Sequence, residues 1–126
     1  MLNKGLRDQE SIRIDNILKV LHSLTFVPKF WNIEDTSLID NQLKGFGLNV
    51  ESLVNATEKD LITLLMRCHL DWNQLEQFAD FLVKSSKENP FDFSEKAIAI
   101  YNYIQLESKT FSFEIFNKLA AVKANL

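Results

Sequence analysis

The chain has 126 residues, 46% of them hydrophobic and 25% charged, which are ordinary values for one soluble globular domain. The net charge is −3, and basic residues are spread evenly along the chain, so the sequence offers no basic patch for nucleic acid or for an anionic membrane. The N-terminal residues are too charged for a signal peptide, and no apolar run approaches the roughly 18 residues of a membrane span. We therefore expect a cytoplasmic protein. The single cysteine, Cys68, permits no intrachain disulfide and suits a reducing compartment.

Three glycines and two prolines in the whole chain favour helices over a turn-rich sheet. No run of alternating β-branched residues is long enough to predict a strand. We predict an all-α fold, a compact bundle of about five to seven short helices. Residues 1–126 are expected to form a single helical domain in which residues 1–9 are loosely ordered.

The first predicted helix begins at about Asp8 or Ser11 and ends at Leu24. Its apolar residues recur at helical spacing and indicate one buried face: Ile14, Ile17, Leu18, Leu21 and Leu24. The segment that follows, 25–35, contains several aromatic residues around Pro28. Because a proline disfavours helical angles in the residue before it, we predict an extended connection here, anchored to the core by its aromatic rings.

Two short helices are predicted next, at about residues 38–44 and 50–56. Gly45 is placed to end the first of them in the left-handed conformation, and Asn49 can cap the second. The Gly45-Phe46-Gly47 sequence lacks the longer glycine pattern of a phosphate-binding loop. We therefore predict that it terminates a helix.

The segment Leu61–Cys68 is apolar on nearly every side and lies between two predicted helix caps. Thr57 with Asp60, and Asp71 with Gln74, have the spacing of capping boxes. A helix that is apolar all round is normally buried all round. The sequence thus predicts that this segment is an enclosed central helix, with the other helices packed around it.

Three further helices are predicted, one after Asp71 and two at about 94–107 and 112–124. With the central segment they form two antiparallel helical hairpins of similar sequence spacing. A short solenoid uses the same amphipathic pairs as a globular bundle, so the sequence leaves a solenoid-like arrangement open. Each of the last two helices follows a Phe-polar-Phe sequence, and we expect Phe93 and Phe111 to pack as hydrophobic staples.

The sequence contains no pattern typical of a catalytic site or a metal site. Cys68 and His69 are adjacent, and neighbours on a helix do not face each other. Cys68 also lies near a helix C-terminus, where the helix dipole disfavours a thiolate. No metal-ligand spacing, phosphate-binding loop, dinucleotide fingerprint or nucleophile elbow is present. We expect a protein that is not an enzyme and that holds no metal or cofactor.

We expect a small helical protein–protein interaction module that binds another protein or a second copy of itself. Aromatic residues on short helices and connections form the candidate partner surface: Phe26, Phe30, Trp31, Phe46, Phe91, Phe93 and Phe111. The alternative is a helical bundle that binds a small molecule or lipid in an apolar pocket between bulky side chains. A DNA-binding helix-turn-helix is disfavoured because the helix after Asp71 carries Glu76 and Asp80 and no basic residue before Lys84.

Overall fold

The computed structural model describes the backbone of residues 2–24, 37–88 and 92–126, and the side chains of 8–24, 37–86 and 92–126. Within these ranges it has seven α-helices and no strand, which confirms the all-α prediction. The helices are α1 (Leu2–Leu24), α2 (Ser37–Leu43), α3 (Val50–Asn55), α4 (Glu58–Arg67), α5 (Trp72–Glu88), α6 (Ser94–Glu107) and α7 (Phe113–Ala124). A short 3-10 turn, Lys44–Phe46, follows α2. The predicted connection at 25–35 lies outside the described residues.

Local capping explains where several helices begin. The Asn49 carboxamide accepts a hydrogen bond from the Ser52 amide at 2.7 Å, and the Ser52 hydroxyl accepts one from the Asn49 amide at 2.9 Å. Asp71 and Gln74 form the same reciprocal pair at 2.7 and 3.0 Å, and Thr57 caps α4 as predicted. Each pair satisfies amides that a helix N-terminus otherwise leaves without partners. By contrast, α1 begins at Leu2, earlier than its apolar spacing predicts.

The left-handed glycine that follows α2 is a different residue from the one predicted. Gly47, not Gly45, takes the left-handed conformation, with φ of 74°, and ends the 3-10 turn. Gly45 instead allows a close approach to α1, because a Cβ at this position would overlap the Cδ1 of Ile17. The Arg13 guanidinium donates a hydrogen bond to the Gly45 carbonyl at 3.0 Å and closes this contact.

The enclosed helix of the fold is α5. Its residues with no exposed surface belong to more than one face of the helix: Leu75, Phe78, Ala79, Phe81, Leu82 and Ser85. It makes its most extensive contact with α6 and also packs on α1. The buried Gln74 side chain donates to Ser11 and Asp15 of α1, at 3.0 to 3.3 Å, and holds the two helices together.

The prediction that Leu61–Cys68 is enclosed on all sides was wrong. In α4 only Leu61 and Leu65 are buried, whereas Ile62 and Met66 are half-buried and Arg67 is exposed. This helix makes its main contact with α6, so one of its faces meets the core and the other meets solvent. This helix therefore has apolar residues on two faces, and the core covers only one of them.

The last two helices are joined by a hydrogen-bonded corner. The Gln105 carboxamide accepts from the Ser112 amide at 3.0 Å and donates to the Ser112 carbonyl at 2.9 Å. Buried residues from all seven helices join in one hydrophobic cluster. Since α4 packs chiefly on α6 rather than on α5, the packing crosses between the two predicted hairpins. No helix in the described ranges is long and apolar enough to cross a membrane.

Candidate docking surfaces

Two of the seven predicted surface aromatics belong to the core. Phe46 and Phe93 are each 1% exposed. The Phe46 ring lies 5.9 Å from that of Phe78, and the Phe93 amide donates to the Ser86 hydroxyl at 2.8 Å. Neither ring adds to an exposed surface. Four others lie outside the described residues: Phe26, Phe30, Trp31 and Phe91.

The seventh predicted residue, Phe111, belongs to an exposed group of rings at the start of α7. Ser112 caps this helix by accepting from the Ile115 amide at 3.2 Å, which places Phe111 just before the cap. Its ring centroid lies 5.9 Å from that of Phe116, which confirms the predicted hydrophobic staple. It also lies 5.0 Å from the ring of Phe113, in an edge-to-face arrangement. We call Phe111, Phe113 and Phe116 the phenylalanine cluster.

The phenylalanine cluster is exposed because α7 meets the core with another face. Ile115, Leu119 and Val122 follow helical spacing and are buried. The cluster residues are 58%, 76% and 54% exposed, in chain order. Phe113 and Phe116 were not among the residues predicted to form a partner surface. The spacing of the three buried residues is the signal that could have separated the two faces.

A groove of about 670 Å³ lies between α4 and α6. Its lining residues are Lys59, Ile62, Thr63, Met66, Arg67 and Tyr103. The apolar members are half-buried, and the two charged members are exposed. The Trp72 ring, 38% exposed, lies 6.1 Å from the Tyr103 ring and extends this aromatic edge. We call the groove with these six lining residues the α4–α6 groove.

A polar cluster joins α5, α6 and α7. Lys118 of α7 pairs with Glu76 at 2.5 Å and with Asp80 at 3.0 Å, both on α5. Tyr101 of α6 donates to the other oxygen of Asp80 at 2.5 Å. Burial by itself lowers the pKa of the Lys118 ammonium, but its hydrogen bonds to the two carboxylates outweigh burial and raise that pKa. Burial and the Asp80 carboxylate raise the pKa of Tyr101 strongly, which disfavours the tyrosinate that a catalytic base would need.

The adjacent cysteine and histidine do not form a nucleophile and base. Burial raises the pKa of the Cys68 thiol, whereas a reactive cysteine needs a lowered one. Its sulfur lies 3.6 Å from the Phe46 carbonyl oxygen. His69 stands in the left-handed conformation, with φ of 68°, at the corner between α4 and α5. The other histidine, His22, donates from Nε2 to the Gln77 carbonyl at 2.9 Å, and burial lowers its pKa.

Among the described residues, no group of three or more histidine, cysteine, aspartate or glutamate side chains is arranged to hold a metal ion. Comparison of the chain with protein-family models, with curated proteins and with solved structures found no match. The surface features of the fold are therefore the observations from which a function can be inferred.

Proposed function

We propose that this protein is a cytoplasmic, non-catalytic helical interaction module that docks another protein through the phenylalanine cluster. The observation that supports it is the contact among three phenylalanine rings that each remain more than half exposed. Exposed apolar side chains are common when they are scattered, but a contiguous aromatic group is typical of a binding surface. Burial of these rings by a partner would remove that apolar surface from water.

The size of the cluster favours a different protein over a second copy of this chain. With about 150–250 Å² of surface for each phenylalanine, the exposed fractions correspond to about 280–470 Å² of exposed surface. A stable interface buries about 800 Å² on each partner, so the cluster alone is too small to hold a symmetric dimer. It has the size of a central anchor that inserts into a pocket of another protein.

The charges near the cluster favour a protein partner over an anionic surface. Glu107 ends α6 shortly before the cluster, and Glu114 stands within it along the sequence; both are exposed. Glu114 is partly balanced by Lys118 at 3.5 Å. Lys109, also exposed, stands two residues before Phe111, so the charges near the cluster are mixed in sign. Mixed charges give no net attraction to phosphates and are ordinary in the polar rim of a protein interface.

The alternative function is the binding of a small molecule or lipid in an apolar pocket. The α4–α6 groove supports it, because its volume of about 670 Å³ lies in the range of ligand sites. A lipid site, however, normally covers most of its ligand, and this groove is open to solvent. We therefore give the alternative second place.

The proposal is tested by comparing the native protein with Phe113→Ser and with a matched control, Leu38→Ser. Leu38 is 56% exposed and lies on α2, away from the cluster in sequence. Proteins are captured quantitatively from native cell extract with each version, and each candidate is purified and titrated by calorimetry. We expect at least one direct partner that the native protein and Leu38→Ser bind alike and that Phe113→Ser binds at least about tenfold more weakly.

Three outcomes would overturn the proposal. The first is that no purified partner distinguishes Phe113→Ser from the control. The second is that light scattering finds a dimer that Phe113→Ser dissociates, which would assign the cluster to self-association. The third is that the native protein sediments with zwitterionic lipid vesicles and Phe113→Ser does not, which would assign the cluster to a membrane surface.

A further inference from the structure

The outward face of α4 is built as a second binding surface. Its five groove residues stand at positions 59, 62, 63, 66 and 67, which follow the spacing of a single helix face. Leu61 and Leu65, on the opposite side of this helix, are buried in the core. Ile62 and Met66 are thus large apolar residues that the core leaves partly open to solvent. This second apolar stripe is why the segment has apolar residues on both faces.

The groove has an apolar floor that can adapt to a bound side chain. Ile62 and Met66 pack partly against the hydrophobic core, which fixes their position on one side. Tyr103 supplies the facing wall from α6, and Trp72 extends it. Methionine is flexible and polarizable, and it is frequent on surfaces that receive varied apolar partners.

The charges of the groove are opposite in sign to those of the whole chain. Both charged residues in the lining, Lys59 and Arg67, are basic, although the net charge of the protein is −3. Neither forms an ion pair with a side chain in the described part of the chain. They are the first and the last of the groove residues on α4. They stand eight positions apart on the helix, which separates them by about 12 Å along its axis.

We propose that the α4–α6 groove binds an amphipathic helix of a partner protein whose apolar stripe is flanked by two acidic residues about two turns apart. An apolar helix face that enters a hydrophobic groove is a recurrent mode of recognition. Carboxylates two turns apart on the bound helix span about 11 Å, which matches the separation of the two cations. The apolar contact supplies affinity, and the paired charges supply orientation and rate of association.

The two separated cations favour a helix over a fatty acid. A fatty acid has one carboxylate and would leave the second cation without a partner. Its acyl chain would also remain largely in contact with water in a groove that is open to solvent. This inference goes beyond the proposed function, because it concerns a different surface and stands even if the phenylalanine cluster binds nothing.

The test uses two synthetic amphipathic peptides of about 18 residues, long enough to form a helix on binding. Both carry the same leucine stripe, and one has two glutamates about two turns apart where the other has two lysines. Each labelled peptide is titrated against the native protein by fluorescence anisotropy, with oleate as a competitor. We expect the acidic peptide to bind about tenfold or more tightly than the basic peptide, with the preference reduced at high salt.

Charge reversal on the protein locates the binding site. In Lys59→Glu/Arg67→Glu we expect the acidic peptide to lose about tenfold or more in affinity and the basic peptide to gain, so that the preference inverts. The control Lys19→Glu/Lys123→Glu reverses two exposed lysines outside the groove and should leave the preference unchanged. Phe113→Ser should bind both peptides as the native protein does, which separates this result from any failure of the phenylalanine cluster.

The inference is overturned if the native protein binds the two peptides equally or binds neither. It is also overturned if both charge-reversed proteins change the preference alike, since the effect would then come from net charge. Displacement of the acidic peptide by equimolar oleate, with oleate binding lost in Met66→Asp, would assign the groove to a lipid instead.

Discussion

The two faces of α4 make opposite predictions for neighbouring residues. Leu65 has no exposed surface, whereas Met66 is half-buried and lines the open α4–α6 groove. If α4 is covered on one face only, Leu65→Ala must destabilise the protein much more than Met66→Ala does. If α4 were enclosed on all sides, the two substitutions would cost similar amounts.

The magnitudes follow from what each truncation leaves behind. Leu65→Ala removes a buried side chain and leaves a closed cavity, so we expect a loss of about 2.7–5 kcal/mol in the free energy of unfolding. Met66→Ala widens a groove that water already reaches, so no closed cavity forms. Only the transfer free energy of the buried part of the side chain is lost, about 1–2 kcal/mol.

Urea unfolding followed by circular dichroism measures both losses, provided the slope of the transition stays constant between variants. Thermal unfolding gives an independent check, because 1 kcal/mol shifts the melting temperature of a domain of this size by about 4 °C. Losses that agree within about 0.5 kcal/mol for the two variants would refute the one-sided packing of α4. A larger loss for Met66→Ala than for Leu65→Ala would refute it as well.

Three further predictions concern single contacts. Tyr101→Phe keeps the ring and removes the hydrogen bond to Asp80, so the free energy of unfolding at neutral pH should fall by about 1.5–3 kcal/mol. Because the folded state raises the pKa of Tyr101, this difference should persist below pH 10.0 and shrink at higher pH; a constant difference up to pH 12 would contradict it. Gly47→Ala places a Cβ at a φ of 74° and should cost about 1–2 kcal/mol in thermal unfolding, and no measurable loss would argue against the left-handed turn. Burial lowers the pKa of His22 in the folded protein below its ordinary value of 6.5. The contribution of neutral His22 to the free energy of unfolding is therefore complete above pH 6.5 and is lost as the pH falls through the lowered pKa. The fall in stability from pH 7 to pH 5 should therefore be shallower in His22→Gln than in His69→Asn, and equal slopes would count against this explanation.

Helix positions could be predicted well because their signals are local. The capping pairs of Asn49 with Ser52 and of Asp71 with Gln74 involve residues three apart, and their chemistry is complete within one turn. The sequence spacing also gave the bounds of α6 at Ser94 and Glu107. A clear exception among the described turns is Gly45, whose role depends on contact with the distant Ile17.

Burial was harder to predict because it depends on which helices become neighbours. The apolar content of α4 is compatible with an enclosed helix or with one core face and one groove face, and only the position of α6 decides between them. The same limit applies to the aromatic residues. Phe46 and Phe111 were both predicted to belong to the partner surface, yet the first is 1% exposed and the second is 58% exposed. The candidate surface was thus predicted in one described residue and missed in its neighbours Phe113 and Phe116.

The attachment of α7 has a consequence for motion. A narrow apolar stripe, the Lys118 ammonium and the hydrogen bonds between Gln105 and Ser112 hold this helix to the rest of the fold. Lys118 also neutralises Glu76 and Asp80, two carboxylates one turn apart on α5 that would otherwise repel each other. Segments with few interior contacts open at lower free energy than the global unfolding reaction, so the backbone amides of α7 should exchange with solvent deuterium sooner than those of α5. The phenylalanine cluster is carried on this helix, so a partner that binds the cluster should slow the exchange of the α7 amides.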